Sequence, residues 1–213
     1  AKRLAIVTLE DEWTVSLTKA LVGRLAGSTT EVVFDQVYPT PSAPESQQAA
    51  TRIRTARADA IYLNLGFGSA GVFLRKLRDQ GIAAPVVSNF WLATAGELES
   101  AGRDAATGAI FIETNVEKPK FVGIFAQTHP GKRPNALSYS CYAAASAMYE
   151  IAAALGSNEG KGSVIQALTT LRRVPLLDET LEIVDREIVF DLRAKVIRPD
   201  GSTGLWEPPS RQE

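Results

Sequence analysis

As far as Glu113 the chain alternates between short apolar runs and longer stretches with helical spacing. The runs are "RLAIVTL", "EVVFDQV", "DAIYLNL", "APVVS" and "GAIFIET". A first helix is marked by Val15, Leu17, Leu21, Val22 and Leu25 and stopped at Gly27. A second, capped by Ser42 or Ser46 after the proline-rich "YPTPSAPES", runs through Ile53. "VFLRKLRDQG" is a third, closed by Gly81, and "TAGELESAG" a short fourth. Parallel neighbours need a crossover between them, and a helix is the usual one. The pattern therefore predicts an α/β fold, a parallel sheet with helices on both faces.

After Glu113 the rhythm breaks. "KFVGIFAQTHPG", "NALSYS" through "AAALG", and "GSVIQALTTLRR" read as three helices. "REIVFD" reads as a lone strand, "RPDGSTG" as a turn and "WEPPSRQE" as a loose tail. The expected division is an α/β lobe over 1–116, a helical section over 117–185, a returning strand and turn over 186–204, and a tail over 205–213. Residues 137–155 are long enough to span a bilayer, but they are mostly alanine and serine and include Glu150. An acid at mid-span costs roughly 2.5 kcal/mol or more, so this helix is expected to pack on protein.

Of 213 residues, 23 are basic and 24 acidic, a net charge of -1 with no basic stripe, which argues against nucleic acid as a partner. One cysteine, Cys141, excludes an internal disulfide and is expected as a small core residue. One histidine, His129, argues against a His-based metal site. No metal or cofactor is expected. "AKRLAIVTLE" reads directly as a strand and not as a signal peptide; since a leader can be removed, this does not decide the compartment.

Three motifs invite an enzymatic reading. "GFGSAG" (66–71) has the G-x-G-x-x-G spacing of a dinucleotide-binding turn. It lies in the third βα unit, however, and the acid expected about 20 residues on is missing, that stretch holding Asn89, Phe90 and Trp91. "LEDEW" and "EKPK" echo a phosphoreceiver, yet the third strand carries Asn64, whose amide forms no acyl phosphate. "SLTK" has Ser-x-x-Lys spacing without the companion motifs S-D-N and K-T-G. No enzyme is expected.

There remains "VVSNFWLATAGELE" (86–99), a strand followed by two large aromatics, Phe90 and Trp91. Ligands of open α/β sheets bind at strand carboxyl ends. The rings read about equally as cleft lining and as core packing or a contact surface.

"KFVGIFAQTHPGKRPNALSYSCYAAASAMYEIAAAL" resembles a stretch of type I periplasmic solute-binding proteins of the branched-chain amino acid receptor type. "KRLAIVTLEDEW", "VVFDQVYP", "RADAIYLNLGFGSAGVFLRKLRDQGIAAPVVSNFWL" and "AATGAIFIET" resemble that family's second lobe in order and spacing. "IVFDLRAKVIRPDG" resembles the segment that returns to it. The resemblance implies a flavodoxin- or Rossmann-like lobe, with 117–185 belonging to a first lobe that has no counterpart here. It implies non-catalytic binding of a small solute between two lobes, delivery to an ABC permease, and a periplasmic or extracellular location. An extracellular sensor domain is the alternative, and a nucleotide-binding enzyme, through "GFGSAG", a more distant one. Ligand-contacting positions fall on Trp13, on Phe67 between Gly66 and Gly68, and on Phe90, where amino acid receptors carry an acid. Asn89 and Trp91 adjoin them. A cleft of Trp13, Phe67 and Phe90 suits an apolar or aromatic solute. The first lobe's absence predicts a homodimer through the helix of residues 139–155, which would cover Tyr142, Met148, Tyr149, Ile151 and Leu155.

Overall fold

The computed structural model describes residues 1–155, 161–185 and 187–208. The first half runs β1 (Arg3–Leu9), α1 (Glu12–Leu25), β2 (Glu31–Tyr38), α2 (Ala43–Thr55), β3 (Ala60–Asn64), α3 (Ser69–Asp79) and β4 (Val86–Asn89). A 3-10 turn (Phe90–Ala93), α4 (Ala95–Ala101), α5 (Arg103–Ala106) and β5 (Ile110–Thr114) complete it. There follow α6 (Pro119–Thr128), α7 (Ala136–Leu155), α8 (Lys161–Thr170), β6 (Arg173–Pro175), β7 (Thr180–Val184), β8 (Glu187–Val189), β9 (Leu192–Ile197) and β10 (Thr203–Leu205). Two compact units result, one of residues 1–113 and 194–213, the other of 114–193.

In the first unit the parallel strands lie in the order β2-β1-β3-β4-β5, continued by β9 and β10. This is the flavodoxin-type order, and it reverses direction at β1. Right-handed crossovers then force α1 onto one face and α2 and α3 onto the other. Side chains confirm it. Thr8 reaches Thr18 of α1 at 2.9 Å. Its alternates Ala5, Val7 and Leu9 share an apolar cluster with Ala49, Ala50 and Ile53 of α2 and Phe73, Leu74 and Leu77 of α3. The sheet is covered on both faces, as the alternation predicts.

Helix starts follow local chemistry. Asp11 caps α1 by accepting from Thr14 N–H at 2.9 Å. Ser42 caps α2 in a reciprocal box with Glu45; Ser46, the other candidate, is buried within the helix. On the far edge, Lys195 of β9 pairs with Glu113 of β5 at 2.8 Å.

The second unit holds three helices and an antiparallel sheet, β6-β7-β8. That sheet is absent from the sequence reading, which has helices to 185 and a returning strand from 186. "EIV" instead folds back on β7 through a hairpin that turns at Asp185, φ +50°. The returning strand is β9, beginning at Leu192. The tail also differs: Leu205 belongs to β10 and Trp206 N–H donates to the Ala194 carbonyl at 2.9 Å. Residues 209–213 lie outside the described residues.

Phe121 and Tyr139 form this unit's centre, with Tyr142 stacked on Phe121 at 5.2 Å. Asp178 caps α6 through Lys120 and Phe121 N–H, at 3.0 and 2.8 Å. Tyr139 donates to Glu179, which also pairs with Lys118 at 2.6 Å. Burial, followed by the Glu179 hydrogen bond, pushes the Tyr139 hydroxyl well above the usual phenol range.

Cys141 is exposed, a correction to the core position expected of it. It lies two residues from both Tyr139 and Ala143, the buried stripe of α7, so helical geometry turns it away. Of the five side chains expected to lack a partner, Tyr142 packs on Phe121, Ile151 is buried and Leu155 half-buried. Met148 and Tyr149 are each 71% exposed. Among the described residues no helix is long and apolar enough to cross a membrane.

Candidate functional site

Four of the sequence-derived site residues meet at the carboxyl ends of three adjacent strands. Trp13 follows β1 in the first turn of α1, Phe67 follows β3, and Phe90 and Trp91 follow β4. Their rings form one row: Trp13 to Phe90 at 5.6 Å, Phe90 to Trp91 at 5.1 Å, Trp91 to Phe67 at 4.7 Å. The row is not core. Phe67 is 70% and Trp13 42% exposed, while Phe90 and Trp91 are half-buried. It spans the β1/β3 boundary, where helices leave on opposite faces and this topology opens a crevice.

Beneath the rings the packing turns polar. Asn64 Nδ2 donates to the Thr14 carbonyl at 2.7 Å and to Thr18 Oγ1 at 3.1 Å. Asn89 Nδ2 donates to Asn64 Oδ1 at 2.9 Å and to the Leu65 carbonyl at 3.0 Å. Asn89 Oδ1 accepts the Trp91 N–H at 2.9 Å and so caps the 3-10 turn. Thr8, Thr18, Asn64 and Asn89 are all buried. One network thus ties the backbone beside Trp13, Phe67 and Trp91 together. Asn89 is buried, with its Nδ2 donating twice and its Oδ1 accepting once. Its bond to the Trp91 N–H ties it to the backbone of the rim.

The glycines of "GFGSAG" have separate reasons. A Cβ on Gly66 would stand 2.9 Å from Trp91 Cγ, so Gly66 makes room for the ring. Gly68 takes φ +87°, and Phe67 before it takes +54°, a left-handed conformation rare for a bulky residue. A Cβ on Gly71 would meet the Glu97 carbonyl oxygen at 2.0 Å, so α3 approaches α4 too closely for any side chain there. Where a dinucleotide would place its pyrophosphate, Glu97 already stands. Its carboxylate accepts Gly68 and Gly71 N–H at 2.6 Å each, filling the anion seat at the start of α3.

Sequence reasoning missed Glu97, Thr14 and Thr18, and took Asn64 only as a failed phosphoacceptor. Thr94 and Glu97 have capping-box spacing, a pattern that points to α4's own start rather than to α3. Thr94 in fact makes no side-chain cap bond. A groove of about 470 Å³ opens elsewhere, lined by Arg75, Arg78, Asp79, Gly102, Arg103 and Asp104. Arg75 and Arg78 there donate to backbone carbonyls. The rim offers apolar and aromatic surface suited to stacking. Exposed Glu10 and Glu12 flank Trp13.

The fold agrees with that of the chain's relatives. A profile of the periplasmic binding proteins matches residues 1–190, and the chain belongs to that family. It is 28% identical over 181 residues to the Leu/Ile/Val-binding protein BraC3 of Rhizobium johnstonii, covering 82% of this chain and 48% of that protein. A leucine binding protein from Thermotoga maritima superposes with a TM-score of 0.79 at 18% identity, over 97% of this chain and 60% of that one. An ABC-transporter solute-binding protein from R. palustris, solved with benzoate, gives 0.77 at 17%, over 96% and 57%. The two structures show the shared fold. The chain spans about half the length of the curated relative it matches.

Proposed function

We propose that this chain is part of the solute-binding component of an ABC importer and binds a small organic solute without catalysis. The carrying observation is the row Trp13–Phe90–Trp91–Phe67, open to solvent at the strand carboxyl ends. Phe90 stands where the resemblance puts the acid of amino acid receptors, which favours an aromatic or apolar acid over leucine. The benzoate complex of the R. palustris relative supports that class. The first unit, which holds residues 1–113, acts as one ligand lobe, an ABC permease is the downstream partner, and the location is periplasmic or extracellular. A second copy of the chain would cover exposed Met148 and Tyr149 of α7. Light scattering after size exclusion tests that dimer, and a monomer at high micromolar concentration removes it.

Titration with benzoate, phenylalanine and leucine tests the ligand reading. Benzoate and phenylalanine are expected to raise the melting temperature and quench tryptophan fluorescence more than leucine does. Preference for leucine, or no response to any of the three, overturns it.

A further inference from the structure

Glu97 is 2% exposed, and among the described residues no Lys or Arg forms an ion pair with it. A buried carboxylate persists only where donors replace the water it has lost. Here the donors are Gly68 and Gly71 N–H, each at 2.6 Å. Both belong to the start of α3, where Gly68 has no side chain with which to cap the helix. Glu97 therefore caps a helix that is not its own, reaching across 29 residues of sequence to Gly68.

What it holds is the Phe67 turn. Phe67 is the most exposed ring of the row and sits at φ +54°, against Trp91 at 4.7 Å. Of its two neighbours, Gly66 lies under the Trp91 ring and accepts from Ser69 Oγ at 2.6 Å. The other, Gly68, is the residue that Glu97 grips. We propose that Glu97 is a positioning residue: its carboxylate locks the Gly68–Gly71 backbone so that Phe67 stands against Trp91 before ligand arrives, and this preorganisation sets ligand affinity. The inference rests on the rim being the ligand site. Without the clamp the turn samples other conformations, and binding must first order it.

The test uses the full chain as wild type, Glu97→Ala and Glu97→Gln. Exchange of the Gly68 and Gly71 amide protons and the near-ultraviolet circular dichroism of Trp91 report the turn without any ligand. Tryptophan fluorescence titrations with benzoate, phenylalanine and leucine report the rim. Glu97→Ala is expected to speed both amides at least tenfold and to raise Kd at least tenfold. Acetate at 100 mM should reverse both effects where chloride of equal ionic strength does not. Glu97→Gln, which keeps one acceptor oxygen, should fall between, and it carries the same measurements if Glu97→Ala does not fold. A merely structural glutamate would lower the melting temperature while leaving Kd within twofold, and that result overturns the proposal. Unchanged amide exchange with an unchanged Trp91 signal overturns it too. If wild type binds none of the three probes, the ligand reading fails, while the amide and Trp91 signals still decide whether Glu97 holds the turn.

Discussion

In the second unit, Phe121 and Tyr139 are 6% and 1% exposed and meet edge to face at 4.9 Å. In the first, Phe67 and Trp13 are 70% and 42% exposed, and the layer beneath the row is polar, made of Thr8, Thr18, Asn64 and Asn89. Both clusters combine aromatic rings with polar partners, in inverted order. Around Phe121 the rings are innermost, and polar tips find partners at the margin: Tyr139 on Glu179, and Tyr142 accepting from Leu177 N–H at 2.9 Å. Along the rim the hydrogen bonds are innermost and the rings outermost. The first arrangement removes apolar area from water on folding. The second leaves that area for something else to cover. What lies under an aromatic ring, more than the ring itself, separates a core from a binding surface.

The comparison predicts opposite responses to truncation. Phe121→Ala should cost about 3–5 kcal/mol, because a buried ring is lost and a cavity left; denaturant unfolding measures it, and a loss below about 1 kcal/mol would mean that Phe121 is no core residue. Asn64→Ala comes next. It leaves an Asn89 N–H and the Thr14 carbonyl without their partner, at about 1–3 kcal/mol for a buried group left unpaired. It should also alter Trp91 fluorescence, since Asn89 would lose the bond that aims it at the Trp91 N–H. A stability loss with an unchanged tryptophan spectrum would separate the network from the rim. Tyr139→Phe should cost less, about 1.5 kcal/mol, the low end for a hydrogen bond to a charged group. Glu179 keeps Lys118 at 2.6 Å, so its carboxylate is not abandoned. Unfolding of this variant followed at pH 7 checks the figure.

How much of this was legible depended on how far each contact reaches along the chain. The parallel sheet was readable because βα alternation is local, and the rim because residues directly after a strand fall at its carboxyl end. The rim's supports were not. Asn64 reaches Thr14 across 50 residues and Asn89 reaches Asn64 across 25, distances at which no local pattern pairs an amide with its partner. Glu97 was hidden by a spacing that fits a capping box. The small sheet of the second unit escaped because β6 and β8 have three residues each, too few to show a period.

The smallest expected change in stability is also the most discriminating. Phe67→Gly removes the most exposed ring of the rim at a position with φ +54°, where glycine carries no Cβ penalty. A bulky residue held in that region costs on the order of 1–3 kcal/mol. Against that relief stand the lost Phe67–Trp91 contact, worth about 0.5–1.5 kcal/mol for an aromatic pair, and the greater backbone entropy of glycine, about 0.5–1 kcal/mol. These oppose one another, so unfolding free energy should shift by less than about 1 kcal/mol, in either direction. Binding should not be spared. If benzoate or phenylalanine stacks on the row, its outermost ring is gone, and affinity is expected to fall at least tenfold. Denaturation and fluorescence titration on the same sample give both quantities. A fall in stability like that of Phe121→Ala would make Phe67 part of a core and dissolve the contrast between the two clusters. Affinity within twofold of wild type, for a ligand that wild type binds, would keep the contrast in packing but move the ligand off the rim.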